Sequence, residues 1–374
     1  MKPFALVACG LLASPVLAQQ TLIVDAAGGP GSQFTDIQPA VDAAQTGDLV
    51  QVRPGTYTRF TVAGKGIRVA GERGGAVTVV DGVTVTTVPA GTATTLSGFE
   101  VVDGATVHAL QIRSNRGAVH VDGLSLTGDT ISIDDSALVS MTNCTGEAVS
   151  ISRSDVQLAQ CSFVHPGFVL PGILVQANAR VTIQSCTAVG GSGIGFPPEP
   201  PAPGLRVCSA DVVVAGESTL TTGPTGGSQP GAAVQLFCSG NITIDPGVRL
   251  QPNPGAPPTE GLPVTFDTVP AVEASSPPIE GPLTGFVRAA TGSLAVVLVA
   301  PPANGRATAL GEVWLGSPAA VVDAGPVGVG GLRAFRLDFP AVVPAGVALT
   351  AQAFAQVPRQ PWRASTPSTF VTRL

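Results

Sequence analysis

The chain is poor in charge and in aromatic rings. Only 12% of its 374 residues are charged, and it has one Tyr and two Trp. A net charge of −6 with so few cations makes the chain a poor general ligand for DNA, RNA or acidic polysaccharide. It has three His, and neither Cys-x-x-Cys nor His-Glu-x-x-His spacing occurs, so no metal site is expected from motifs. Outside one short segment, helix-period patterns are missing. Beyond the N-terminus no apolar run is long enough to be a transmembrane segment.

What is abundant is Gly (46) and Pro (34), with Val, Ala and Thr between them. That composition favours many short strands joined by tight turns. The first 18 residues read as an export signal: Lys2, the apolar run "FALVACGLLASPVL" and the small-residue site Val16-Leu17-Ala18. Leu6-Val7-Ala8-Cys9 competes as a lipoprotein box, but only eight residues precede that Cys. The expected localisation is secreted, extracellular or cell-surface, in a compartment that permits disulfides.

An internal repeat decides the expected fold. The segments "LQIRSNRGAVHVDGLSLTG" from Leu110, "ISIDDSALVSMTNCTG" from Ile131 and "VSISRSDVQLAQCSF" from Val149 align. So do "ILVQANARVTIQSCTA" from Ile173, "LRVCSADVVVAGEST" from Leu205 and "VQLFCSGNITIDPG" from Val234. Each holds an alternating strand, a polar corner marked by Ser136, Ser154 or Asn178, and a second alternating strand. Starts recur every 18 to 32 residues, a unit too short to bury its own apolar face. Stacking the units predicts a right-handed parallel β-helix over 19–252. Ile131, Val149 and Ile173 should point inward, with an inward column of Phe99, Leu124, Cys144, Cys161 and Cys186. Phe34 to Ala44 reads as a capping helix for the first coil. Thr35-Asp36-Ile37-Gln38 has the form of a capping box, and Ile37, Val41 and Ala44 share one face.

The stretch "GSQFTDIQPAVDAAQTGDLVQVRPGTY" resembles the N-terminal segment of pectin-lyase-like β-helix proteins, pectin methylesterases in particular. The likeness covers 21–82 by motif and runs to about 250 by repeat pattern alone. It implies the fold and leaves activity open. Pectin methylesterases carry Gly-x-Tyr-x-Glu, whereas here Gly55-Thr56-Tyr57-Thr58 is followed by Arg59. Their Gln-Ala-Val-Ala-Leu and Asp-Phe-Ile-Phe-Gly signatures are missing, and "RQPWR" at 359–363 is only a chance echo of their Gly-Arg-Pro-Trp. Of the polygalacturonase motifs only Gly128-Asp129-Thr130 comes near, with no Gly-His-Gly.

The remaining polar cluster comprises Arg113, His120, Asp122, Asp134 and Asp135, with Asp129 nearby. As a lyase site, Arg113 would be the base and the carboxylates would hold Ca²⁺; without that activity no cofactor is expected. The simpler reading is a solvated ladder in which Arg113 pairs with Asp134 across adjacent coils. His108 and His165 receive no role. Two loops, 190–204 and 220–231, leave the spiral from one edge and read as tolerated surface insertions, with the walls of a shallow groove as the alternative; Phe196 is their only aromatic residue.

Residues 253–282 are Pro-rich and read as a linker. Over 283–374, six turn-separated strands predict a small antiparallel β-sandwich. On "GEVWLG" and "VALTAQAFAQ" it resembles the C-terminal β modules of secreted bacterial proteins, which implies a surface or export accessory. Cys208 and Cys238 align at one corner of adjacent coils, and a spacing of about 4.8 Å suits a disulfide. The thiols of Cys144, Cys161 and Cys186 should be reduced, or one adjacent pair bridged. The favoured function is an exported non-catalytic β-helix protein for surface structure, adhesion or glycan contact. Its expected partner is a polysaccharide or cell-surface component. The alternative is a carbohydrate-active enzyme, either polysaccharide lyase or glycoside hydrolase.

Overall fold

The computed structural model describes residues 19–102, 108–128, 130–167, 170–193, 200–225, 230–274, 282–317, 319–338 and 347–372. The expected signal segment, Asp129 and Phe196 lie outside them.

Two long parallel sheets, of 18 and nine strands, form a β-helix. The larger sheet bends at each corner, so it contains both the first and the second strand of every coil. Residues with positive φ make the bends: Ser114, Asp135, Arg153 and Ser209 lie at equivalent corners, with φ between 45° and 55°. The nine-stranded sheet is a third face made of very short strands, such as Ser125–Thr127 and Ser162–Val164. The repeat pattern did not separate this face, because two or three residues are too few to display alternation. Ile131, Val149, Ile173, Leu205 and Val234 occupy one register column and are buried. Ser136 and Ser154 form a polar corner ladder as expected, and Asn115 extends it. Asn115 Nδ2 donates to Ser136 Oγ (3.1 Å), and the Ser136 N–H donates to Ser154 Oγ (3.0 Å).

The helix Ile37–Ala43 is shorter than Phe34 to Ala44, and its N-cap is Asp36 rather than Thr35. Asp36 Oδ1 accepts from the Ile37 N–H at 2.8 Å, which leaves no capping role for Thr35. Ile37, Ala40, Val41 and Ala44 are buried on the first coil. Gln38 covers the exposed edge of the strand Phe60–Ala63. Its side chain accepts from the Thr61 N–H (2.7 Å) and donates to the Thr61 carbonyl (3.3 Å), as a neighbouring strand would. Lys65 Nζ then satisfies the helix C-terminus by donating to the carbonyls of Val41, Asp42 and Ala44.

The Pro-rich stretch 253–282 carries three short strands among its described residues. Thr259–Gly261 and Thr265–Phe266 pair in parallel with Val234–Leu236 and Gly240–Ile244 as a further coil. Ala271–Ala274 is the edge strand of an antiparallel three-stranded sheet with Leu283–Arg288 and Leu332–Leu337. Pro254, Pro257, Pro258 and Pro263 mask the strand signal, and all four lie outside the two short strands of this coil. The rest of the C-terminal module is antiparallel as expected. A second sheet is built on Leu294–Ala300 and Ala348–Gln356, and Pro302–Thr308 forms a hairpin with Gly311–Leu315. Phe335, Phe370 and Val297 are among its core residues.

Cys208 and Cys238 form a disulfide with Cα atoms 4.6 Å apart. Cys144, Cys161 and Cys186 are free and buried, and each thiol donates to the carbonyl two residues back. Burial holds the Cys161 thiol well above the usual thiol range, so it is a poor nucleophile. Non-reducing peptide mapping should recover the Cys208–Cys238 pair with the other three thiols alkylatable only after unfolding. Replacing both bridge residues by Ser should lower stability by about 3 kcal/mol. Recovery of a Cys144–Cys161 or Cys161–Cys186 peptide would contradict this assignment.

Candidate functional site

Two of the three register ladders on the outward positions of the second strands are mostly uncharged. One runs Thr95, His120, Ser140, Gln157, Thr182, Val213, Thr243. The other runs Ser97, Asp122, Thr142, Ala159, Gln184, Ala215. Alternation makes them outward-facing, yet His120, Asp122, Ser140, Thr142, Gln157, Thr182 and Gln184 are all buried. The C-terminal module covers much of this face. Thr142 Oγ1 donates to the Thr369 carbonyl (2.7 Å), and Thr369 Oγ1 donates to Gln157 Oε1. Gln184 Nε2 donates to the Val272 carbonyl, and its Oε1 accepts from Thr366 Oγ1. Ser185 Oγ donates to Glu273 Oε1 at 2.7 Å, and Arg180 pairs with Glu312 at 3.1 Å.

The predicted cluster therefore comes apart. His120 and Asp122 do share one face, but each is only 1% exposed. His120 Nδ1 bonds Ser140 Oγ at 2.7 Å, and burial lowers its pKa to about 4, so the ring is neutral at pH 7. It borders a cavity of about 570 Å³ with Arg68 and Arg116. Asp122 accepts from Asn143 Nδ2 (3.0 Å) and borders a different cavity, about 240 Å³, with Glu72 and Arg73. Arg113 and Asp134 are in register on the first-strand face, but they do not pair. The Asp134 carboxylate is taken by the next coil instead, by Arg153 at 2.6 Å and by Ser152 Oγ. Arg153 wins because its corner backbone brings the guanidinium over Asp134, while Arg113 remains exposed. Asp135 sits at the corner itself. It lines a polar groove of about 480 Å³ with Arg116, Arg153 and Asp155. Burial raises the Asp155 carboxyl above the usual carboxylate range, against the pull of Arg180. Among the described residues, which exclude Asp129, no three His, Cys, Asp or Glu side chains converge as a ligand set.

The two loops pack on each other. The Gly223 N–H donates to the Ala202 carbonyl (2.9 Å), and a Cβ on Gly223 would lie 2.0 Å from the Gly191 carbonyl oxygen. The described parts of these loops thus stack as closely as the coils beneath them, rather than standing apart as groove walls.

A cleft of about 350 Å³ opens at the far end of the first ladder, between Thr182, Val213 and Thr243 and the C-terminal module. Glu312, Trp314, Trp362 and Arg363 line its other side. It holds both tryptophans of the chain. The charges on its walls are paired: Glu312 with Arg180, and Arg363 with Asp267 at 2.6 Å. Burial raises the Glu312 carboxyl above its ordinary range. Sequence reasoning missed these residues because they meet the ladder only through the docking of two domains. The available signal was that both tryptophans fall in the C-terminal module, one of them inside the dismissed "RQPWR". No protein-family model matches the chain, and no curated protein matches it in sequence.

The His120 environment generates a pH test. Its folded pKa of about 4 lies below the unfolded value of 6.5, so the unfolded chain binds more protons between them. Stability is full above pH 6.5 and should fall by roughly 3 kcal/mol as pH drops to 4. His120→Gln should flatten that part of the curve in denaturant titrations. An unchanged slope would mean that the imidazole titrates normally.

Proposed function

We propose that this is an exported, non-catalytic β-helix protein of pectin-lyase-like type, acting in surface structure, adhesion or glycan contact. The observation that carries the reading is the dispersal of the predicted chemistry. Acid–base cleavage of a sugar chain needs its groups within hydrogen-bond reach of one substrate. His120 and Asp135 border adjoining cavities that share Arg116 and Asn304, Asp122 borders a separate one, and Arg113 lines none of the three. The Cys208–Cys238 bond supports an oxidising compartment, in line with the export signal read at residues 1–18. The described helix is too short to cross a membrane.

One observation favours the enzyme alternative. The corner groove holds two carboxylates, Asp135 and Asp155, and the second is shifted toward its protonated form. That is the pairing a glycoside hydrolase or lyase would use as acid and base. The two readings separate in one experiment. The purified protein, with and without added Ca²⁺, should release neither reducing nor unsaturated sugars from a polysaccharide panel, while a glycan array retains it. Release that Asp155→Asn abolishes, with the fold intact by circular dichroism, would establish the enzyme.

A further inference from the structure

We propose that the cleft between the second-strand ladder and the C-terminal module binds a short neutral glycan, about one or two sugar rings long. This rests on the glycan-contact reading above and gives it a site. The volume of about 350 Å³ lies at the small end of the range that encloses small ligands, roughly 300–1,000 Å³. Three features of the walls select the ligand.

The first is the helix wall. Thr182, Val213 and Thr243 stand one above another on adjacent coils. Two coil steps separate the Thr hydroxyls, a rise of about 9.6 Å. Hydroxyls at that spacing, with a Val between them, face a ligand that alternates polar groups and C–H surface along its length. Two linked pyranose rings do so.

The second is Trp362, since Trp314 is fully buried. Indole rings offer flat apolar area that suits the C–H face of a sugar ring, at little cost in side-chain entropy. Trp362 is half-buried at the rim. With Leu310 it lines both the cleft and an apolar surface patch formed by Val296, Leu298 and Phe354. A ring stacked on Trp362 therefore has the cleft on one side and open apolar surface on the other.

The third is charge. The cleft's two ionic side chains are matched, Glu312 with Arg180 and Arg363 with Asp267, so the walls present no unpaired cation to attract a uronate or sulfate. Glu312 Oε2 and Trp314 Nε1 are both buried, and the Trp314 side chain helps to hold the Glu312 carboxyl charged against its burial. Both atoms are shielded from solvent and lie beneath the cleft wall.

Both tryptophans line the cleft, so intrinsic fluorescence of the full chain reports on this place. Cellobiose, maltose and diacetylchitobiose serve as neutral probes and digalacturonate as the acidic one. At least one neutral disaccharide should shift the emission saturably. Trp362→Ala should weaken its affinity roughly tenfold or more, with Trp314 as the remaining reporter. Thr243→Val, on the opposite wall, should weaken it too, so the result does not depend on one variant folding. A response to digalacturonate alone would overturn the neutral class. No fluorescence response, with array binding that Trp362→Ala leaves intact, would overturn the cleft while glycan contact elsewhere stands. An array that retains nothing would remove the glycan-contact reading and this proposal with it.

Discussion

Gln184 sits at the seam on which the arrangement of the molecule depends. Its amide nitrogen donates to the Val272 carbonyl, and its amide oxygen accepts from the Thr366 hydroxyl. Residues 272 and 366 belong to separate stretches of the C-terminal module, so one side chain ties the β-helix to two of its segments. Gln157 and Thr142 repeat the device on neighbouring coils through Thr369. A buried polar group left without a partner costs about 1–3 kcal/mol, so these ladders require the module to be docked in one register. The docking then decides which outward residues meet solvent. It covers His120, and it creates the cleft beyond Thr182.

The coil interior was legible because its rule is local. Alternation names Ile131, Val149 and Ile173 as inward, and the column of Cys144, Cys161 and Cys186 follows from alignment alone. Cys208 and Cys238 were readable for the same reason, since equivalent corners on adjacent coils must lie one coil spacing apart. The capping helix was readable from its apolar face. The hydrogen bonds from Gln38 to Thr61 were not, because they join residues of different coils by side-chain geometry.

The candidate site was much less legible. Alternation states only that His120 and Asp122 leave the core, and it treats every outward residue as solvated. Composition held a further clue. The two outward second-strand ladders beneath the module are mostly Thr, Ser and Gln, whereas the ladder beside them carries Asp155, Arg180 and Asp211 and the outward first-strand positions include Arg113 and Asp134. Uncharged hydrogen-bonding side chains suit a polar face that is buried against protein, and charges suit a face left in water. The Arg113–Asp134 pairing failed on a finer scale. Register brought the two residues level, but the positive-φ corner at Arg153 delivered a closer cation. Trp314 and Trp362 could not be assigned to the ladder at all without the docking.

The most direct test of the seam is a double-mutant cycle on Gln184 and Thr366, read by denaturant unfolding of the full chain. Gln184→Ala and Thr366→Val each remove one side of the contact, and the account predicts a coupling energy of about 0.5–3 kcal/mol between them. Strict additivity of the two changes would show that these residues do not meet, and that the C-terminal module is not docked on the second-strand face.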